Sequence, residues 1–156
     1  MDAYERPKML RCCVREVKLG KDVTIIEPCN LYECEIGDGC FIGPFSEIQK
    51  GVRIGKNCRI QSHSFVCTGV TIEEDCFIAH GTLFTNDRFE TGEPDRDPSS
   101  WGKTLVGAGC SIGSGVTLLP VRIAPGCVVG AGSVVTKDLE IPGVYAGNPA
   151  RLLRKL

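Results

Sequence analysis

The chain lacks any apolar run long enough to span a membrane, and no apolar segment of the secretory kind stands at its N-terminus. A soluble, cytoplasmic protein is the expectation. An excess of one charge is lacking too. Eighteen basic and 19 acidic side chains leave a formal charge of −1, which offers nothing to nucleic acid or an anionic membrane. Aromatic residues make up 6%, with one tryptophan, so few flat side chains are available for stacking. Histidine occurs twice, as His63 and His80. Ten cysteines are present without a single CxxC pair, and the adjacent Cys12 and Cys13 make a poor zinc bite, so no metal site is expected. Glycine, by contrast, is plentiful at 19 residues, as a chain full of tight turns requires.

The turns have a period. Ile36, Ile42, Ile48, Ile54, Ile60, Val66, Ile72, Ile78 and Phe84 are each six residues from the next. Two positions before each stands a small residue: Cys34, Cys40, Ser46, Val52, Cys58, Ser64, Val70, Cys76 and Thr82. No α-helix has period six, and a plain amphipathic strand has period two with no regular turn. A chain that runs straight briefly, turns and repeats does fit, with one large and one small side chain pointing inward on each side. Three sides make an 18-residue coil, and coils stack as a parallel β-helix solenoid.

The spacing places the coils at about residues 17–138, within a single domain of residues 1–156 that carries a tail at 139–156. One-residue slips fall between Leu31 and Ile36 and between Leu118 and Ile123. Between Phe84 and Val106 the chain holds far more residues than one side needs, so a loop is expected to leave the scaffold at about 85–104. It is rich in charge, proline and glycine. The last residues, Ala150 to Leu156, read as a short helix opening after Asn148-Pro149. Cys40, Cys58 and Cys76 stack in the small inward slot, and Cys29, Cys34, Cys110 and Cys127 share that kind of slot. They read as structural thiols in a reducing compartment. Cys67 falls in a turn instead, a position open to exposure, with nothing beside it in sequence to activate a thiolate.

Function in a regular solenoid must come from what departs from the repeat. His63 and His80 fall at one corner of the prism on adjacent coils. That corner continues through Gly113-Ser114-Gly115 and Gly130-Ala131-Gly132, turns with almost no side chains. Such a groove admits a long thin ligand, with His80 at its upper end as a base; an ordinary surface histidine is the plainer reading. Asn86 and Asp87 open the loop and suit the orientation of a hydroxyl or amino group, although Asn-Asp also starts turns. Gly107 to Gly113 spells GxGxxxG without strand-then-helix context, so a dinucleotide fold is rejected.

The hexad resembles that of the bacterial hexapeptide-repeat acyltransferases, which fold as left-handed parallel β-helices. The closing run from Val129 to Asp138 and then Ala146-Gly147-Asn148-Pro149-Ala150-Arg151 is similar to the ending of many coenzyme A-dependent members. The runs Phe77 to Phe89, Trp101 to Thr104 and Leu118 to Ile123 resemble N-acetyltransferases of nucleotide-linked 3-amino sugars, which serve O-antigen, lipopolysaccharide and capsule synthesis. A proline that often follows the loop aromatic there is replaced by Glu90-Thr91 after Phe89.

The resemblance implies a homotrimer that transfers an acetyl group from acetyl-CoA to the amine of a nucleotide-linked amino sugar. In that reading His80 and Asn86 are catalytic, and Asn86, Asp87, Arg88 and His63 bind the sugar. Gly113, Ser114, Gly130, Ala131, Lys137, Arg151 and Arg154 hold the coenzyme, the cations at its phosphates. Three other readings stay open. They are an O-acetyltransferase acting on a sugar or serine, a γ-type carbonic anhydrase (which needs three histidines where this chain has two), and a non-catalytic trimeric scaffold.

Overall fold

The computed structural model describes residues 14–156. The Cys12-Cys13 pair lies outside the described residues. Strands of two or three residues recur at the hexad spacing, each with one outward and one inward side chain. Phe41–Ile42, Glu47–Ile48 and Arg53–Ile54 are consecutive examples. Strands so short have no stability alone. Each one pairs in parallel with the strands one coil away, and the three resulting sheets of seven, six and eight strands are the sides of a prism. The first sheet ends at Val134–Val135, the second at Arg122–Ile123, and the third at Ala150–Lys155.

The register puts like on like. Ile36 pairs with Ile54 and Ile54 with Ile72. On the third sheet Ile42, Ile60, Ile78 and Ile112 form a second inward column. These side chains are buried, and burial of each stabilises the column by about 1.5–3 kcal/mol. The one-residue slips are short corners, from Tyr32 to Glu35 and from Leu118 to Arg122, which bring Lys18 opposite Glu35 and Leu105 opposite Arg122. Coiled strands are already present at Val14–Arg15, ahead of the expected start near residue 17.

The eight cysteines among the described residues are buried. Five form one ladder at the corner between the second and third sheets. Cys40 donates its thiol to Gly55 O at 3.0 Å, Cys58 to Glu73 O at 3.0 Å, Cys76 to Gly107 O at 3.2 Å, Cys110 to Ala124 O at 3.2 Å and Cys127 to Ile141 O at 3.5 Å. Each thiol thus fills the small slot and also ties its coil to the next. At the corner between the third and first sheets Ser46, Ser64 and Thr82 do the same work with hydroxyls.

Two expectations are corrected. Residues 150–155 form no helix: Ala150–Lys155 is a strand lying antiparallel on Gly143–Gly147. The open edge of the third sheet offers backbone groups to this segment, and a full ladder outweighs the helix preference of Ala-Arg-Leu-Leu-Arg-Lys. Cys67 is buried rather than exposed, in the core cluster, and the loop folds back onto the same corner at Thr68 and Gly69. Gly102 O lies where a side chain on Gly69 would begin, and Thr104 N donates to Gly69 O at 3.1 Å. The loop itself leaves the first sheet after Leu83–Phe84, and the chain joins the second sheet at Thr104–Val106.

Candidate functional site

The corner between the third and first sheets carries His80. Its backbone is fixed on both sides by the solenoid ladder. Gly81 N donates to Ser62 O at 3.0 Å, Gly115 N to His80 O at 2.9 Å, and Gly132 N to Ser114 O at 2.8 Å. Ser62, His80, Ser114 and Ala131 therefore occupy equivalent places on successive coils. The His80 side chain is exposed, and its Nδ1 lies 2.8 Å from Ser62 Oγ.

Two features leave this corner nearly bare of side chains below His80. At Gly113 an added Cβ would stand 2.5 Å from Ala131 N, so the coils approach too closely for a side chain. At Gly115, with φ +67, a Cβ would meet only open space. Above His80 the surface changes character. His63 and Phe45 take the positive-φ places that glycines hold below, at φ 62 and 59, and their rings stack with centroids 4.9 Å apart. Phe45 is 58% exposed, so the stack is presented to solvent.

The loop residues sit elsewhere. Asn86 follows the first sheet, so it occupies the next corner of the prism, away from His80. Its side-chain Nδ2 donates to Thr68 O at 3.2 Å, and its backbone O accepts from Gly102 N at 2.8 Å. Asp87 is drawn into the loop's own architecture: Oδ1 accepts from Phe89 N and Oδ2 from Asp95 N, both at 2.8 Å. Arg88 donates to Pro120 O. Trp101 Nε1 donates to Asp95 O at 2.9 Å and pulls the loop closed. Within the loop lies a cavity of about 250 Å³, lined in part by Asn86, Asp87, Arg88 and Trp101.

The cations also divide. Arg151 lies opposite Ala146, which packs against Gly130, so it continues the row of Ala79, Gly113 and Gly130. That row is one residue to the side of the row of His80, Ser114 and Ala131, which runs on to Gly147 and Ala150. Arg154 pairs with Val144 farther along the same hairpin. Lys137 follows Val134–Val135 and therefore sits at the neighbouring corner with the loop, not in line with His80. The partner the sequence reasoning passed over is Ser62. His63 is 17 residues before His80, whereas the side chain that meets His80 is 18 before it, one full coil.

Comparison with known proteins agrees with this architecture. A family model described as bacterial transferase hexapeptide (six repeats) matches residues 33–68, and one described as hexapeptide repeat of succinyl-transferase matches residues 103–137. The bifunctional protein GlmU of Paramagnetospirillum magneticum is 32% identical over 138 residues, covering 83% of this chain and 30% of the relative. The chain thus spans about a third of the curated relatives it matches. Among solved structures, AntD, an N-acyltransferase from Bacillus cereus in complex with dTDP and 3-hydroxybutyryl-CoA, superimposes with a TM-score of 0.77 at 24% identity. That match covers 90% of this chain and 82% of AntD, and it is a likeness of fold. A hexapeptide-repeat acetyltransferase from Vibrio cholerae complexed with acetyl-CoA matches at 26% identity and a TM-score of 0.67, covering 78% of this chain and 70% of the other. Hexads, three-sided parallel coils and both family models agree: the chain is a hexapeptide-repeat β-solenoid, similar over residues 33–68 and 103–137 to the bacterial hexapeptide transferases.

Proposed function

We propose that the protein is an acetyl-CoA-dependent N-acetyltransferase that acetylates the amino group of a nucleotide-linked amino sugar. It works as a homotrimer in the cytoplasm and supplies surface polysaccharide synthesis. The observation that carries this reading is the His80 corner. An exposed imidazole, braced by Ser62, heads a corner whose lower coils present glycine, serine and alanine, with Arg151 beside its foot. The acyl-CoA ligands of similar proteins support the donor, and the dTDP held by AntD supports a nucleotide-linked acceptor.

The chemistry needs little from the protein. The sugar amine attacks the thioester carbonyl, a C–N bond forms, and the carbonyl oxygen becomes an oxyanion. Collapse breaks the C–S bond and releases the coenzyme thiolate. His80 Nε2 takes the proton that the nitrogen loses, a contribution of about 10²-fold or more for a positioned base. Alignment of the two substrates supplies the larger part. Asn86 and Asp87 lie at another corner, so one subunit's loop serves the His80 groove of its neighbour across a three-fold interface.

The test combines acetyl-CoA with dTDP- and UDP-linked 3-amino and 4-amino sugars and reads release of the coenzyme thiol. The expected result is transfer to an amine and a rise in thermal midpoint with acetyl-CoA alone. Transfer to hydroxy but not amino sugars would make the protein an O-acetyltransferase. Neither transfer nor a thermal shift would leave a scaffold.

A further inference from the structure

His80 carries two ring nitrogens, and only one can serve a substrate. Nδ1 is 2.8 Å from Ser62 Oγ, so it is engaged within the solenoid, and Nε2 is the nitrogen left for the groove. The engagement is built in rather than incidental. Ser62 and His80 stand exactly one coil apart in sequence, and the ladder bond from Gly81 N to Ser62 O holds the two turns in that register. In the same column Pro44 stands one coil above Ser62 and Ser114 one coil below His80, so a serine flanks the imidazole on each side, and it is the Ser62 hydroxyl that lies within hydrogen-bond distance of Nδ1.

We infer that Ser62 is a positioning residue: its hydroxyl accepts from His80 Nδ1–H, which fixes the imidazole tautomer and leaves Nε2 unprotonated toward the groove. This rests on the reading of His80 as the base. A neutral imidazole carries one N–H, and the bond made by one nitrogen decides where that proton sits. With Nδ1–H directed at Ser62, Nε2 has the lone pair that removing a proton from the sugar ammonium requires. After the transfer the imidazolium keeps the same Nδ1–H bond, so the ring need not turn during the step. Without the hydroxyl the ring rotates freely and populates the opposite tautomer, whose Nε2–H donates and cannot accept. A hydroxyl can donate or accept at this distance, and acceptance is the sense that serves a base: it keeps the same bond to the imidazolium formed on transfer, while the hydroxyl proton goes to water at this half-exposed position.

The chain's two histidines make the test direct. ¹⁵N-histidine labelling gives two imidazole spin systems, assigned by comparison with His63→Gln. In the wild-type protein the His80 spectrum is expected to show a protonated Nδ1 and a bare Nε2. Ser62→Ala should shift it toward protonated Nε2 and lower kcat about tenfold, a fraction of the 10²–10⁴ a positioned base supplies. Both KM values should stay within about twofold, and Ser62→Thr should restore spectrum and turnover together. A His80 tautomer indifferent to Ser62→Ala, or turnover unchanged by Ser62→Ala while His80→Ala is slow, would overturn the proposal. If His80→Ala itself keeps full turnover, the base reading falls, and with it the kinetic role of Ser62. The spectrum then still decides whether the hydrogen bond sets the tautomer.

Discussion

Asn86 Nδ2 donates to Thr68 O at 3.2 Å, across one full coil, so the loop is pinned to the scaffold by its second residue. Asn86→Ala removes this bond and should lower stability by about 1 kcal/mol. It should also speed protease cleavage within residues 87–100. If Asn86 also meets the sugar, the acceptor KM rises while that for acetyl-CoA stays constant. A change in stability with no change in either constant would confine the residue to pinning the loop.

Arg151 is exposed on the last strand, one residue to the side of the lower end of the His80 row. Arg151→Glu should raise the apparent acetyl-CoA constant about tenfold, equivalent to 1.4 kcal/mol, through repulsion of the coenzyme phosphates. The thermal midpoint and the sugar constant should hardly move. Equal effects on both substrates would place the donor elsewhere.

Cys58 is fully buried in the thiol ladder. Valine fills the corresponding slot at another corner, as Val52 and Val70. Cys58→Val should therefore cost only about 1 kcal/mol, the net worth of the bond to Glu73 O. Cys58→Asp buries a carboxylate with no cation beside it and should cost several kcal/mol. Urea denaturation of the two variants measures the contrast, and a stable Cys58→Asp protein would contradict the inward assignment.

Burial pushes the Cys34 and Cys67 thiols up to about 11 and the Cys110 thiol to about 12, from an ordinary value of 9.0. Above pH 9 the unfolded chain gives up these protons and the folded chain keeps them, so stability falls as pH rises from 9 toward about 12. Below pH 9 the contribution is whole. Denaturation midpoints across that range check the sign, and the same burial predicts slow alkylation of these thiols in the folded protein at neutral pH.

Because Asn86 and His80 occupy different corners, mixed trimers of His80→Ala and Asn86→Ala subunits should recover activity that neither parent has. Some interfaces would then combine two intact residues. Subunit exchange is verified by mass spectrometry. Mixtures no more active than the parents would show that each site draws both residues from one subunit.

The hexad made most of the fold legible, because whether a side chain points in or out in a two-residue strand is a local matter. Ile36, Ile54 and Ile72 stack for that reason alone. What escaped was set by distant partners. Ala150–Lys155 has no alternating pattern, and only the open sheet edge makes it a strand. Cys67 stands in a turn yet belongs to the core cluster, at a corner where a loop from much later in the chain is pinned to Thr68 and Gly69. The carboxylate of Asp87 is committed to Phe89 N and Asp95 N, a closure invisible in the dipeptide Asn86-Asp87. Pairing the two histidines by residue type concealed that Ser62, one coil away, is the side chain His80 touches.

The reversed strand Ala150–Lys155 bears on how these molecules behave in concentrated solution. A stack of parallel coils is in principle an open-ended template, since its last rung offers the same hydrogen-bonding groups as every rung before it. Ordered end-to-end addition would turn prisms into filaments. Here the final rung of the third sheet runs against all its predecessors, so an incoming coil in the parallel sense finds the wrong pattern of donors and acceptors. Arg151, Arg154 and Lys155 add positive charge along that strand, which repels a second copy presenting the same edge. At this edge of the third sheet one change of direction thus withdraws the parallel template.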